Sequence, residues 1–199
     1  MNNFRFLGAI FGAFFLYVPS ISFADDPVHF VSAIKPASLP DEKRTTLGLY
    51  LTAVETGEFL SVRKDALLID IRTRAEVSFV GIAEEADKNI PYMVMDEFWD
   101  FDDEKGTYKM TVNSNFTTEV NDLVREKGLS KEGTIILMCR SGSRSARAAN
   151  LLAQLGYSNV YSVVDGFEGD KDPQGARTVN GWKNAHLTWS YKIRGDQAY

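Results

Sequence analysis

The sequence predicts an α/β fold: a single domain with a mostly parallel central sheet and helices on both faces. Two observations predict it. Short apolar runs, Leu67-Leu68-Ile69, Ile135-Ile136-Leu137-Met138 and Val160-Tyr161-Ser162-Val163-Val164, have the length and composition of strands buried on both sides. Segments of helical spacing lie between them, and strands alternating with helices imply parallel neighbours in one sheet. No internal repeat is visible, so there is no second copy of the unit. With 44% hydrophobic and 25% charged residues, the 199-residue chain has the balance of an ordinary globular protein.

The elements follow in order. Residues 1–24 read as a signal peptide: Arg5 precedes an apolar run over 6–18, Pro19 follows, and Ser22-Phe23-Ala24 has the small-x-small form of a cleavage site. That run is shorter than the about 20 residues a membrane-spanning helix takes. Cleavage after Ala24 and a periplasmic or secreted address are expected, with a retained anchor as the alternative. Residues 25–46, punctuated by Pro27, Pro36 and Pro40, read as an extended arm before a domain at 47–199. There Tyr50-Leu51 begins a short strand, and Thr52 caps a helix with Glu55 three residues later, a capping-box spacing. Gly57 weakens that helix without breaking it.

Residues 66–71 form the first buried strand and 74–79 a short helix. Residues 86–94 hold Pro91, which places them at an edge or in a loop. Thr117 or Thr118 caps a helix running to about Lys127, where Gly128 stops it. The 134–138 strand, a helix closed by Gly156 and the 160–164 strand complete the sheet. Two stretches, near 96–115 and 169–180, read as inserted loops. Solvated decoration is expected for both; the alternative for the acidic, aromatic 96–104 segment is a rim that selects a partner.

Composition also excludes classes. A formal net charge of −5 argues against nucleic acid as a partner. After signal cleavage nothing is left to engage a membrane. The one cysteine cannot form an intramolecular disulfide. Cys139, His29 and His186 show no metal-ligand spacing, so neither a metal nor another cofactor is expected.

That cysteine carries the chemistry. In Cys139-Arg140-Ser141-Gly142-Ser143-Arg144-Ser145 the thiol sits where a buried strand ends and a helix begins. First-turn N–H groups lack intrahelical partners there and the helix dipole is positive, so both favour a thiolate and an anion beside it. The thiol pKa should fall below its free value of about 8.5.

The chain from about Leu47 to Trp189 resembles the rhodanese sulfurtransferase family, in particular a secreted single-domain member. Leu68-Ile69-Asp70-Ile71-Arg72 with Glu76, Asn89-Ile90-Pro91, the loop at 136–144, Leu155-Gly156-Tyr157, Val163-Val164-Asp165-Gly166-Phe167 and Gly181-Trp182 carry the resemblance in order. Gly81-Ile82 lacks the histidine usual in the family's Gly-His-Ile, and Phe167 stands where a second glycine is common.

The resemblance implies transfer of a sulfane sulfur from a small anionic donor such as thiosulfate, through a persulfide on Cys139, to a thiol, cyanide or protein acceptor. It makes Cys139 the nucleophile, Arg144 the main electrostatic clamp and Arg140 an anion-recruiting group at the rim. Backbone N–H groups over 140–144 can form a nest, which Gly142 permits, and Ser141, Ser143 and Ser145 offer hydroxyls. Asp70 and Arg72 end the neighbouring strand in supporting roles: Asp70 positions the loop or pairs with an arginine, a surface salt bridge being the alternative. A non-catalytic persulfide carrier or redox-partner module needs the same thiol. A cysteine phosphatase or arsenate reductase fits less well, because those phosphatases place five residues between cysteine and arginine where this chain has four. They also usually carry histidine where this chain has Met138.

Overall fold

In a computed structural model of the protein, residues 32–199 are described. The expected signal peptide at 1–24 and the first part of the expected arm lie outside them. The central sheet has five strands: β1 (Tyr50–Leu51), β2 (Leu67–Asp70), β4 (Lys88–Asn89), β9 (Ile135–Met138) and β10 (Val160–Val163). Their order is β1-β10-β9-β2-β4, and every pairing is parallel. All residues of β2, β9 and β10 are buried. That is why these runs carry no polar alternation.

Helices cover both faces, as the sequence predicts. Helices α3 (Phe116–Glu126) and α4 (Ser143–Gln154) bury Phe116, Val120, Leu123, Ala148, Ala149 and Leu152 against Leu67, Ile69, Ile135 and Leu137. On the opposite face Phe59 of α1 (Ala53–Val62) meets the Tyr161 ring at 5.8 Å. The capping box of α1 forms: Thr52 Oγ1 accepts the Glu55 N–H and Glu55 Oε2 accepts the Thr52 N–H. A second such box starts α2 (Arg74–Val80), with Thr73 and Glu76 as partners.

The structure departs from the sequence reading in four places. Helix α3 is capped by Asn115 without a side-chain bond, and Thr117 and Thr118 lie inside it. Phe116 sets this start: it is fully buried, edge-on to Tyr92 at 5.2 Å, and packing outweighs the cap signal. The described part of the arm is not extended throughout. It folds into two 3-10 turns, Pro36–Ser38 and Asp41–Lys43, and Leu39 packs with Tyr50 and Val164.

The stretch near 96–115 is a ribbon rather than a loop. Strand β5 (Met93–Met95) pairs with β8 (Met110–Val112), and β6 (Phe101–Asp102) with β7 (Thr107–Tyr108), all antiparallel. Last, β3 (Ile82–Ala83) pairs with β11 (Trp189–Ser190), a contact over a hundred residues that no local pattern encodes. The 169–180 stretch is a loop pinned by one antiparallel bridge, Lys171 to Arg177.

Candidate active site

Strand β9 ends at Met138 and delivers Cys139 beyond the carboxyl edge of the sheet, where α/β folds place their ligands. The chain then turns through Arg140, Ser141 and Gly142 into α4. At Gly142 φ is +99°, and a Cβ there would lie 2.2 Å from the Val164 carbonyl oxygen. Only glycine satisfies both demands. The turn points the Gly142 N–H at the thiol, 3.1 Å from Cys139 Sγ.

The segment after β10 holds this loop from outside. The Phe167 N–H donates to the Cys139 carbonyl at 2.8 Å, and the Glu168 N–H to that of Arg140 at 3.0 Å. Gly166 lets the two backbones touch, since a Cβ there would sit 2.5 Å from the Cys139 oxygen. Inside the loop, the Cys139 N–H donates to Ser145 Oγ at 2.9 Å.

Cys139 is 1% exposed, and burial alone would raise its pKa. The Arg144 guanidinium, the Ser145 hydroxyl and the Ser145 and Ser141 amides outweigh that, holding the thiol below its ordinary value. Arg144 is itself buried, with both terminal nitrogens on the Glu76 carboxylate: Nη1 donates to Oε2 at 2.8 Å and Nη2 to Oε1 at 2.5 Å. Burial would raise the Glu76 pKa, but this bidentate pair and the Thr73 hydrogen bonds pull it down to about 2.

Cys139, Gly142, Arg144 and Ser145 are therefore brought together, the first three around the sulfur and the last bracing the backbone. Arg144 stands near the sulfur as a fixed charge, with both terminal nitrogens on Glu76. Arg140 is exposed at the rim, and Ser141 and Ser143 are half-buried. Asp70 and Arg72 are fully buried and paired, with Arg72 Nη2 2.6 Å from Asp70 Oδ2, so the surface salt bridge is excluded. Arg72 Nη2 also donates to the Gly81 carbonyl. The backbone that carries the pair is tied to its neighbours: Ile71 N–H donates to the Met138 carbonyl, and Asn89 Nδ2 donates to the Asp70 and Arg72 carbonyls.

Glu76 and Phe167 are the site residues that sequence reasoning gave no role. For Glu76 the available signals were its place in the resemblance, after Asp70 and Arg72, and the Thr73-x-x-Glu76 capping spacing. For Phe167 there was only its replacement of a glycine.

A family profile for the rhodanese-like domain matches residues 56–172, more than half of the chain. The chain belongs to the rhodanese-like family. This rhodanese-like protein is 32% identical over 132 residues to an uncharacterised protein of Rickettsia prowazekii, covering 66% of this chain and 89% of that one. The crystal structure of Rv0390 from M. tuberculosis shares 30% identity at a TM-score of 0.54, covering 71% of this chain and 96% of the other. A shorter stretch of 41 residues is 44% identical to the thiosulfate sulfurtransferase GlpE of Tolumonas auensis, 21% of this chain and 39% of that protein.

Proposed function

We propose that this rhodanese-like protein is a sulfurtransferase that carries sulfane sulfur on Cys139. The observation that carries the reading is the thiol itself: buried, yet held below its ordinary pKa by an inward N–H and a fixed guanidinium. Such a sulfur is a nucleophile at neutral pH and its persulfide anion meets the same donors.

With thiosulfate as donor, the Cys139 thiolate attacks the outer sulfur. A bond between the two sulfurs forms, the donor's own S–S bond breaks, and its electron pair leaves with sulfite. An acceptor thiolate or cyanide then attacks the outer sulfur of the persulfide, and Cys139 departs as thiolate. The Gly142 amide and the neighbouring first-turn amides of α4 stabilise the anion in both states. Arg144 supplies positive charge without moving, since Glu76 locks it. Because the thiol is almost wholly covered, the donor presents its terminal sulfur end-on into the loop and leaves its sulfonate at the rim.

The exported address belongs to the same proposal and rests on the N-terminal sequence: the acceptor is then an extracytoplasmic thiol or protein. Incubation with thiosulfate and cyanide tests turnover. Thiocyanate formation that disappears in Cys139→Ser is expected; thiocyanate at the uncatalysed rate with the intact protein contradicts an enzyme and leaves only a carrier.

A further inference from the structure

Four arginines lie in the cysteine loop or against the segments that hold it, and they fall into two kinds. Arg72 and Arg144 are buried and each is paired with a carboxylate, Asp70 and Glu76. Arg140 is exposed and Arg177 half-buried, and among the described residues neither forms a salt bridge.

Arg177 comes from the 169–180 loop, which sequence analysis treated as decoration. Its position is built. The guanidinium donates through Nη1 to the Gly169 carbonyl, while the Gly169 N–H donates back to the Arg140 carbonyl at 3.3 Å. One residue, Gly169, thus joins the Arg177 side chain to the cysteine loop through its N–H and its carbonyl. The backbone of Arg177 is fixed as well, bridged to Lys171 and held at its carbonyl by Asn184 Nδ2 at 3.2 Å. Gly169 cannot be replaced, since a Cβ there would overlap the Asn180 carbonyl.

The electrostatic neighbours agree with this placement. Burial and the Arg140 cation lower the Arg177 pKa, while Glu168, Asp170 and the Cys139 thiolate act in the opposite sense. Two cations that repel each other beside an anionic nucleophile are relieved by an anion with more than one charge.

We propose that Arg177 is a specificity-determining residue, which with Arg140 forms a two-cation gate over Cys139 selecting doubly charged sulfur donors. The identity of the donor as a sulfur compound rests on the sulfurtransferase reading; the gate does not.

The test separates the two. Cys139 is alkylated with iodoacetate, an anion, and with iodoacetamide, its neutral analogue, and the ratio of rates reads the local potential without any sulfur donor. In Arg177→Gln, which keeps a hydrogen-bond donor for the Gly169 carbonyl, the ratio should fall roughly threefold to tenfold. Arg177→Lys, which keeps the charge, should retain most of it. In parallel, kcat/KM for thiosulfate, a dianion, should fall in Arg177→Gln by a larger factor than that for methanethiosulfonate, a monoanion. An unchanged alkylation ratio in Arg177→Gln, a Lys variant as impaired as the Gln variant, or equal losses for both donors overturns the gate. If the ratio falls as expected while thiosulfate leaves no sulfur on Cys139, the gate stands and the sulfurtransferase reading fails.

Discussion

The Arg72 guanidinium lies 3.8 Å from the centroid of the Phe167 ring, while the Phe167 N–H holds the Cys139 carbonyl. One residue thus caps a buried ion pair on one side and braces the nucleophile's loop on the other. Among the described residues the Arg72 Nη1 has no hydrogen-bond partner, and the ring face stacked on the guanidinium offsets part of that cost.

Phe167→Ala should therefore destabilise the protein by about 3–5 kcal/mol, from lost burial, a cavity and an uncovered guanidinium. Phe167→Leu should cost clearly less, since it refills the volume and loses only the stacking. Urea unfolding of the two variants measures both. A Leu variant as stable as the wild type would show that the cation–ring contact adds nothing.

The Glu76–Arg144 pair makes stability depend on acid. Glu76 has a folded value of about 2 against an ordinary 4.5, so its contribution is complete above pH 4.5 and is lost as pH falls toward 2. The shift corresponds to about 3 kcal/mol at most. The stability difference between wild type and Glu76→Gln should accordingly shrink across that window. A difference independent of pH would mean that the carboxylate's charge is not what Arg144 needs.

Gly142→Ala combines a left-handed backbone with a Cβ 2.2 Å from the Val164 oxygen. Relief requires the loop to shift, which withdraws the amide from Sγ. Loss of at least about 2 kcal/mol of stability is expected, together with a rise in the thiol pKa. Calorimetry and the pH dependence of alkylation read the two effects.

Arg144 acts on Cys139 through charge, so Arg144→Gln, which can still donate to Glu76, should raise the midpoint of iodoacetamide alkylation. In the wild type that midpoint should lie below that of a free cysteine thiol. An unmoved midpoint in the variant would leave the amides and Ser145 as the sole cause.

Much of this was legible from the chain. The buried runs at β2, β9 and β10 read as strands because they lack polar alternation. Thr52 and Glu55 announced α1 through their spacing, and Cys139 was placed between strand and helix by its neighbours. What escaped were tertiary effects. The Thr73–Glu76 spacing signals a cap, but not that the same carboxylate also reaches Arg144, 68 positions away. Phe167 looked like a departure from a glycine pattern, because nothing local reveals that its ring meets Arg72. The Asp96–Glu104 segment read as a loop from its acidity, although Phe101 and Tyr108 meet edge-on across paired strands at 5.7 Å.

Intact-protein mass spectrometry after thiosulfate treatment and removal of excess donor tests the central claim most directly. The account predicts a gain of one sulfur atom, mapped to Cys139, reversed by cyanide and absent in Cys139→Ser. An unmodified Cys139 under conditions where iodoacetamide alkylates it fully would contradict the account.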